Sequence, residues 1–270
     1  MEGAGRIVES VGGRPISDVG GYVTDMGRSF IDKLFFVDKI DPDLIVDFGC
    51  ANGLVLSKIS ALMPGARLVG YDLDPDMLDK AGELLGGSAE LTGDWGRVAQ
   101  AARGAARPML LLSSVVHEVY SYSTPRQVRD FWSGRVFGGL FKWVCIRDMI
   151  PSGEPPPRDF SEDVARVLSM VDPFYVRSFE LRWGPIGADY RTFIHFLLKY
   201  RYVDNWDREV EENYVPLSLK TLKSKIPPGY TVIYEHSYIY DFLQSQVRRD
   251  LGVEIRQTTH TKLIVERRRP

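Results

Sequence analysis

The sequence lacks the features that mark secreted, disulfide-rich or membrane-spanning proteins. Only two cysteines, Cys50 and Cys145, occur in 270 residues, too few for a disulfide framework or a four-thiolate zinc site. We expect both thiols to be reduced in a cytoplasmic protein. No apolar run reaches the roughly 18 residues of a membrane helix, and residues 1–20 lack the basic and apolar regions of a signal peptide. We therefore predict neither secretion nor contact with a membrane.

The chain also lacks an excess of charge of either sign. It carries 34 Lys and Arg against 36 Asp and Glu, a formal net charge of −2. Such a balance gives no global field that would draw the protein to nucleic acid or to an anionic membrane, so any such contact would depend on a local patch. The 44% of hydrophobic residues suffices for a core in one large domain or two small ones.

Apolar segments alternate with segments of helical periodicity through the first half of the chain. The segment 109–116 is almost continuously apolar, which is typical of a strand buried on both faces of a parallel sheet. The alternation predicts an α/β fold with a doubly wound, mostly parallel, Rossmann-like sheet and right-handed crossovers. The strands predicted in this half are residues 44–47, 66–72, 89–92, 109–116 and 140–149.

The pattern divides the chain into three parts. Residues 1–40 form an N-terminal segment with a helix predicted over residues 22–40. Residues 41–150 and 216–270 form the predicted sheet domain. Residues 151–215 break the alternation, and we interpret them as an inserted helical cap that binds the acceptor.

The cap begins after a proline-rich linker, residues 153–157. Helices are predicted within it at residues 161–170 and 191–202. Beyond the cap, two strands at residues 230–237 and 261–267 are predicted to form an antiparallel pair that completes a sheet of seven strands.

A glycine-bearing turn follows the first strand. Asp47 ends the apolar run, and Gly49 and Gly53 precede a helical pattern at residues 54–59. Glycines let the backbone adopt positive φ and approach a ligand closely, and the helix N-terminus offers unbonded N–H groups. An ordinary turn after a buried strand explains this segment equally well when it is taken alone.

Acidic residues follow the next two strands as well. Asp72 ends the second strand 19 residues beyond Gly53, a position from which a carboxylate can accept hydrogen bonds from both ribose hydroxyls. Asp94 and Trp95 follow the third strand, where they could accept from an adenine amino group and cover its ring. Ligands of parallel sheets bind at the carboxyl ends of strands, so the three turns predict an adenosine pocket. The alternatives are a helix-capping role for Asp72 and a turn role for Asp94.

This ordered set resembles the class I S-adenosylmethionine-dependent methyltransferases. The likeness is carried by residues 47–53, residues 70–74, the Gly93-Asp94 pair and the closing strands within residues 230–267. The family places glycine at every second position after the first acid, and Ala51 replaces the middle glycine here.

The resemblance covers residues 40–150 and 216–268, with the cap outside it. The turn lacks the G-x-G-x-x-G order of a nicotinamide dehydrogenase, since Ala51 and Leu54 occupy its second and third glycine positions. The segment 113–116 lacks the N/D-P-P-Y-like turn of adenine and cytosine amino methyltransferases.

The resemblance implies S-adenosyl-L-methionine as cofactor and S-adenosyl-L-homocysteine as product. It implies that Asp47 and Gly49 face the methionine part, Asp72 the ribose hydroxyls, and Asp94 with Trp95 the adenine. The other residues expected at the cofactor are Cys50, Ala51, Gly53, Leu73 and Ser113.

Candidate acceptor-site residues follow the fourth strand. Methyl transfer needs an aligned nucleophile and sometimes a base. His117 could be that base, with Glu118 orienting it or binding the acceptor, and Tyr120 and Tyr122 could pack against the substrate. A histidine bonded only to backbone and tyrosines that only pack are the alternatives. Arg147 of the fifth strand could contact substrate or form an ion pair.

The cap contains a basic and aromatic set that could bind an aromatic or anionic acceptor, with Tyr190 and Trp206 as candidate contacts. The sequence thus predicts a methyltransferase acting at oxygen or nitrogen of a small-to-medium organic acceptor, without a metal. The same rings could stack nucleobases, so an RNA-modifying enzyme is one alternative. A regulatory protein that binds the cofactor without turnover is another. The cap aromatics could also form only the cap's own core.

Overall fold

The computed structural model describes residues 30–153 and 159–268. Within them, a seven-stranded sheet has the strand order β3-β2-β1-β4-β5-β7-β6. Neighbouring strands are parallel except where β7 pairs antiparallel with β5 and with β6. The strands are β1 (Leu44–Phe48), β2 (Arg67–Tyr71), β3 (Glu90–Thr92), β4 (Pro108–Ser113), β5 (Trp143–Asp148), β6 (Tyr230–Tyr238) and β7 (His260–Arg267).

The predicted mostly parallel, doubly wound sheet of seven strands is confirmed. Strands β1, β4 and β5 are buried almost without interruption, because separate hydrophobic clusters cover the two faces of the sheet. The chain winds outward from β1 through β2 to β3 and then returns to place β4 on the other side of β1. The strand order therefore reverses between β1 and β4, where open α/β sheets bind ligands.

The sheet domain contains a set of helices, and several of them begin at residues whose side chains accept backbone N–H groups. Asp74 accepts from the amides of Asp76 and Met77 at one helix start, and Thr124 forms a capping box with Gln127 at another. These helices are α1 (Phe30–Lys33), α2 (Leu54–Leu62), α3 (Pro75–Leu85), α4 (Trp95–Arg103), α5 (Val116–Tyr122) and α6 (Pro125–Asp130).

Three predicted boundaries differ from the structure or fall outside it. The strand predicted over residues 109–116 was too long, since β4 ends at Ser113 and Val116–Tyr122 forms α5. Ser114 turns the chain with a φ of +58°, and the Asp148 carboxylate accepts the amide of Val116 to begin the helix. Of the helix predicted over residues 22–40, residues 22–29 lie outside the described residues, as does most of the proline-rich linker.

The cap is helical, as predicted, but its core extends beyond residues 151–215. The Pro173–Trp183 helix and the Asp241–Leu251 helix were not predicted. Leu243 and Val247 of the latter join the hydrophobic cluster of the cap. The cap helices are α7 (Ser161–Met170), α8 (Pro173–Trp183), α9 (Tyr190–Lys199) and α10 (Trp206–Glu209), followed in the chain by α11 (Leu219–Lys223) and α12 (Asp241–Leu251).

None of the helices in the described ranges has the length and hydropathy needed to span a bilayer.

The turn after β1 has left-handed backbone at three positions. Gly49, Ala51 and Gly53 have φ of +76°, +44° and +75°. A Cβ atom on Gly49 would lie 2.8 Å from Cγ2 of Val115, so glycine is required there by both backbone and packing. Ala51 adopts a backbone that L-residues rarely adopt, and it stores strain in this turn.

Ala51→Gly should stabilise the protein. Left-handed backbone costs an L-residue about 1–2 kcal/mol, whereas glycine loses about 0.5–1 kcal/mol more conformational entropy on folding. The difference is a gain of about 0.5–1 kcal/mol in the free energy of unfolding, measured by urea denaturation. The control is Ala61→Gly in α2, which should destabilise by up to about 1 kcal/mol. An equal decrease in the free energy of unfolding in the two variants would contradict strain at Ala51.

Candidate active site

The acid after β2 is bonded to the glycine turn after β1. Oδ2 of Asp72 accepts the amide of Ala51 at 2.8 Å, and Oδ1 accepts the amide of Asp74 at 3.0 Å. The amides of Gly49 and Cys50 donate to the carbonyl of Tyr71 at 2.8 and 3.1 Å. The structure therefore brings the turn and Asp72 together at one edge of the sheet.

Asp47 is buried at the base of this turn. Burial raises the pKa of its carboxyl to about 7, an effect that the positive charge of Lys33 opposes and the negative charge of Asp72 reinforces. Lys33 of α1 is itself 4% exposed. Burial and the charge of Arg147 lower its pKa to about 8, opposed by Asp47 and Asp148. The N-terminal helix thus brings a buried cation to the acids at the strand ends.

Ser113, at the carboxyl end of β4, has a buried hydroxyl that forms no hydrogen bond within the described chain. Burying a hydroxyl without a partner is unfavourable. Strand β4 lies beside β1, with Leu112 opposite Phe48, so this hydroxyl is next to the glycine turn. An unsatisfied polar group at this position fits a ligand that supplies the partner.

The residues after β3 are placed at the same edge but have structural contacts of their own. Asp94 is exposed, and its Oδ1 accepts the amide of Gly96 at 2.7 Å as the N-cap of α4. The ring of Trp95 packs edge-on against Phe48 and Tyr71. Their contacts with adenine stay a prediction. Leu73, Cys50 and Gly53 adjoin the Asp72 and glycine-turn positions in the chain, and Cys50 is buried, which raises the pKa of its thiol.

His117 lies between two buried carboxylates. Its Nδ1 is 2.8 Å from Oδ1 of Asp148, and its Nε2 is 3.6 Å from Oε2 of Glu212. Asp148 also accepts the amides of Val116 and Met149, both at 2.7 Å. The residue that orients His117 is therefore Asp148, and not Glu118 as the sequence suggested.

The two carboxylates set the charge of His117. Burial acts to lower the pKa of the imidazole, but the charge and hydrogen bond of Asp148, with Glu212 and Glu118, outweigh it and raise the pKa to about 9. Both ring nitrogens then carry protons at neutral pH. A base role for His117 requires removal of one of them, so the neutral form becomes abundant only toward pH 9.

Glu118 is the most open acid of this group, with 28% of its side chain exposed. Burial and the charge of Glu212 raise the pKa of its carboxyl to about 7, against His117 and Arg208, and the charge of Asp72 adds to the increase. Glu118 is therefore within electrostatic reach of the acid after β2.

Arg208 and Glu212 of the cap belong to the group of charged residues around His117 and Glu118. Arg208 is 3.4 Å from Glu118 and 3.0 Å from Glu212. The hydroxyl of Tyr122 donates to Glu212 at 2.9 Å, and the amide of Asn213 donates to Ser121 at 2.7 Å. The cap segment 208–213 is thus bonded along the length of α5.

A buried lysine holds Glu212 in place from the cap side. Lys199 is fully buried, and its Nζ donates to the carbonyl oxygens of Glu209 and Glu212. It lies 4.3 Å from the centroid of the Tyr214 ring. Burial lowers the pKa of Lys199 to about 7 despite the two glutamates.

Sequence reasoning missed Glu212 and Lys199 of the cap and the contact of Asp148 with His117, whereas Arg208 belongs to the basic and aromatic set that it identified in the cap. An acid at the end of the fifth strand is a visible signal, but its contact with His117 depends on how β5 and α5 are brought together. The cap residues carry no local signal, because only the folded cap brings them to α5.

One atom each from His117, Glu118 and Glu212 lies within 4.8 Å of the others, a spacing that could hold a metal ion. Arg208 bonds both glutamates and already supplies positive charge there. The absence of a metal stays a prediction.

The remaining predicted substrate residues are engaged with protein groups. Arg147 bonds Asp32 through Nε and Nη2 at 2.8 and 2.6 Å, and the hydroxyl of Tyr120 accepts from Trp132 at 3.1 Å. Tyr190 and Trp206 are 1% and 4% exposed within the cap core. Neither ring is accessible in this arrangement, so Tyr190 and Trp206 are not proposed as contacts of the acceptor.

The strand order, the antiparallel β7 and the acid-bearing glycine turn give the chain the fold expected of the class I S-adenosylmethionine-dependent methyltransferases, in agreement with the resemblance found in the sequence.

Comparison with known proteins finds methyltransferases that are similar to parts of the chain. No protein-family model matches the chain. A segment of 64 residues is 41% identical to trans-aconitate 2-methyltransferase of Streptomyces avermitilis, covering 23% of this chain and 24% of that protein. A segment of 77 residues is 35% identical to the enzyme of the same name from Streptomyces coelicolor, covering 27% and 25%. The matches span about a quarter of the length of these relatives.

Solved structures were also compared. An O-methyltransferase family protein from Burkholderia thailandensis has a TM-score of 0.49 at 17% identity, covering 92% of this chain and 58% of that one. The mitomycin 7-O-methyltransferase has a TM-score of 0.49 at 16% identity, covering 91% and 56%.

The elevated pKa of His117 can be measured without an acceptor. Among the four histidines, we expect one imidazole NMR signal to titrate near pH 9 and to vanish in His117→Gln. His195 and His260 should stay neutral, because burial lowers the pKa of each, that of His195 to about 2. Asp148→Asn should move the His117 titration to lower pH. A midpoint at or below pH 6.5 in the wild type would contradict the assignment.

Proposed function

We propose that this protein is an S-adenosylmethionine-dependent methyltransferase that acts at oxygen or nitrogen of a small-to-medium organic acceptor. The observation that carries the proposal is the junction of the glycine turn with Asp72, bonded through the amide of Ala51 at 2.8 Å. This junction lies next to the reversal of strand order between β1 and β4.

The charges around the junction suit a cationic cofactor. S-Adenosylmethionine supplies a methyl group activated by a positively charged sulfur. Burial raises the pKa of Asp47, Asp72 and Glu118, and the charge of Asp72 adds to the increase at Asp47 and at Glu118. Buried carboxyl groups with a raised pKa are stabilised as anions by a bound cation. The orphaned hydroxyl of Ser113 adds a polar group without a protein partner.

His117 and Glu118 are the residues proposed to act on the acceptor. Glu118 is the more accessible of the two, and its pKa of about 7 leaves it partly ionised at neutral pH, so it can take a proton or bind a polar group of the acceptor. His117, fixed by Asp148, becomes a base only as the pH rises toward 9. The two roles are separable by the pH dependence of the variants.

A small acceptor is favoured over RNA. The RNA alternative relied on cap aromatics to stack bases, and Tyr190 and Trp206 are buried in the cap core. The two relatives named for trans-aconitate make carboxylic acids the first acceptors to test. A cofactor-binding protein without turnover would bind S-adenosylmethionine and release no S-adenosylhomocysteine with any acceptor.

Asp72→Ala should weaken S-adenosylmethionine binding at least about tenfold, about 1.4 kcal/mol. The substitution removes the proposed acceptor of the ribose hydroxyls and the bond to the Ala51 amide. Isothermal titration calorimetry measures the affinity. Asp79→Ala is the matched control, because Asp79 lies exposed on α3 and its replacement removes the same charge. An unchanged affinity for Asp72→Ala would remove Asp72 from the cofactor site.

His117→Ala should reduce turnover at least about a hundredfold at saturating cofactor and acceptor, the range expected for loss of general-base catalysis. Release of S-adenosylhomocysteine measures turnover, and cofactor affinity should change little. In the wild type, kcat/KM should increase from pH 7 toward pH 9, because the neutral imidazole becomes more abundant as the pH approaches its pKa. A turnover number that His117→Ala leaves unaltered would exclude His117 as the base.

A further inference from the structure

Arg201 is a partly buried cap arginine whose charge is surrounded by rings. It belongs to the short helical turn Tyr200–Asn205. Its guanidinium carbon lies 5.0 Å from the ring centroid of Tyr202, 5.2 Å from that of Phe242 and 5.7 Å from that of Tyr240. Aromatic faces stabilise a guanidinium but do not satisfy its in-plane N–H groups.

The Nε atom of Arg201 is buried and donates to no acceptor in the part of the chain that the structure describes. Nor does any acid there form a salt bridge with it. Leaving a buried, charged donor unbonded is unfavourable. The guanidinium fork of arginine matches the geometry of a carboxylate, and an anion of that shape would satisfy the unbonded Nε–H.

The surroundings of Arg201 carry more positive than negative charge. The guanidinium of Arg147 contacts the same ring as Arg201, with its carbon 5.5 Å from the centroid of Tyr240. Both Arg147 and Lys262 form ion pairs with one carboxylate, Asp32, at 2.6 and 2.5 Å. Two cations therefore share one acid, and Arg201 adds a third positive charge.

This cationic region is close to the candidate active site. His260 is buried, and its ring centroid lies 5.4 Å from that of Tyr240. Burial lowers the pKa of His260, and the charges of Arg147, Arg201 and His117 lower it further, in that order. The imidazole of His260 therefore lies close enough to Arg201 of the cap and to His117 of α5 for both charges to lower its pKa.

We propose that Arg201 binds a carboxylate of the methyl acceptor, with Arg147 and Lys262 supplying further positive potential. The proposal rests on the methyltransferase function and names its substrate class, an organic anion. The site then contains a region of negative charge and a region of positive charge. Acids at the strand ends suit the cationic cofactor, and Arg201 of the cap with Arg147 of β5 suits the anionic acceptor.

The test is calorimetric titration of carboxylates into the full chain saturated with S-adenosylhomocysteine. The probes are trans-aconitate, succinate and benzoate, with trimethyl trans-aconitate as the uncharged control and inorganic phosphate as the alternative anion. We expect at least one carboxylate to bind, and Arg201→Gln to weaken that binding at least tenfold. S-Adenosylhomocysteine affinity should be unchanged in the variant.

Two further variants complete the test. Arg177→Gln removes the same charge from an exposed position of α8 and should leave carboxylate binding unaltered. Arg201→Lys retains the charge without the planar fork, so its carboxylate affinity should lie between those of the wild type and Arg201→Gln. If Arg201→Gln fails to fold, Arg201→Lys tests the proposal instead. A carboxylate affinity of Arg201→Lys equal to that of the wild type would exclude bidentate binding by Arg201.

Carboxylate binding that is equal in the wild type and Arg201→Gln would overturn the proposal. It would also be overturned by phosphate binding more tightly than every carboxylate, or by no carboxylate binding at all. The titrations are repeated without S-adenosylhomocysteine. Failure of the wild type to bind that molecule would contradict the methyltransferase proposal, whereas a loss confined to carboxylates concerns Arg201 alone.

Discussion

The site depends on one buried carboxylate, that of Asp148 at the end of β5. Its oxygens accept the amides of Val116 and Met149 and bond Nδ1 of His117, so a single side chain begins α5, ends β5 and orients the imidazole. A carboxylate that is 1% exposed is tolerable only because donors surround it. The same charge keeps His117 protonated. The end of β5, the start of α5 and the positive charge of His117 therefore all depend on the carboxylate of Asp148.

The cap is attached to the sheet domain through polar contacts and through its hydrophobic cluster, which includes Met149 after β5 and packs against Tyr238 of β6. Its own cluster, completed by α12, is separate from the two clusters that cover the sheet. Lys199 fixes the backbone of Glu209 and Glu212, and Glu212 and Arg208 then reach α5. Such contacts hold the charges of the cap beside α5, because buried polar groups left unpaired are unfavourable.

Local sequence patterns identified most of the sheet and failed where long-range contacts decide the structure. The glycine turn and Asp72 were identified because a strand, a turn and an acid at fixed spacing are local signals. The end of β4 was misplaced because residues 109–116 are apolar throughout, and apolar content alone does not separate a buried strand from the buried face of a helix. The helix start at Val116 depends on Asp148, which follows much later in the chain. Helix α12 was missed although Leu243, Val247 and Leu251 recur at a spacing of four residues, because the segment between the two closing strands was interpreted only as a connection.

The sequence by itself determined the α/β class, the parallel sheet with its antiparallel closing strand, and the acids and glycines at the ends of the first two strands. These follow from periodicity and from backbone chemistry, which act over a few residues. Only the tertiary structure decided that Asp148 and Glu212 flank His117, that Tyr190 and Trp206 are buried, and that Arg201 lacks an acidic partner within the described residues. Burial and charge pairing are properties of the assembled surroundings, so no single segment of the chain specifies them.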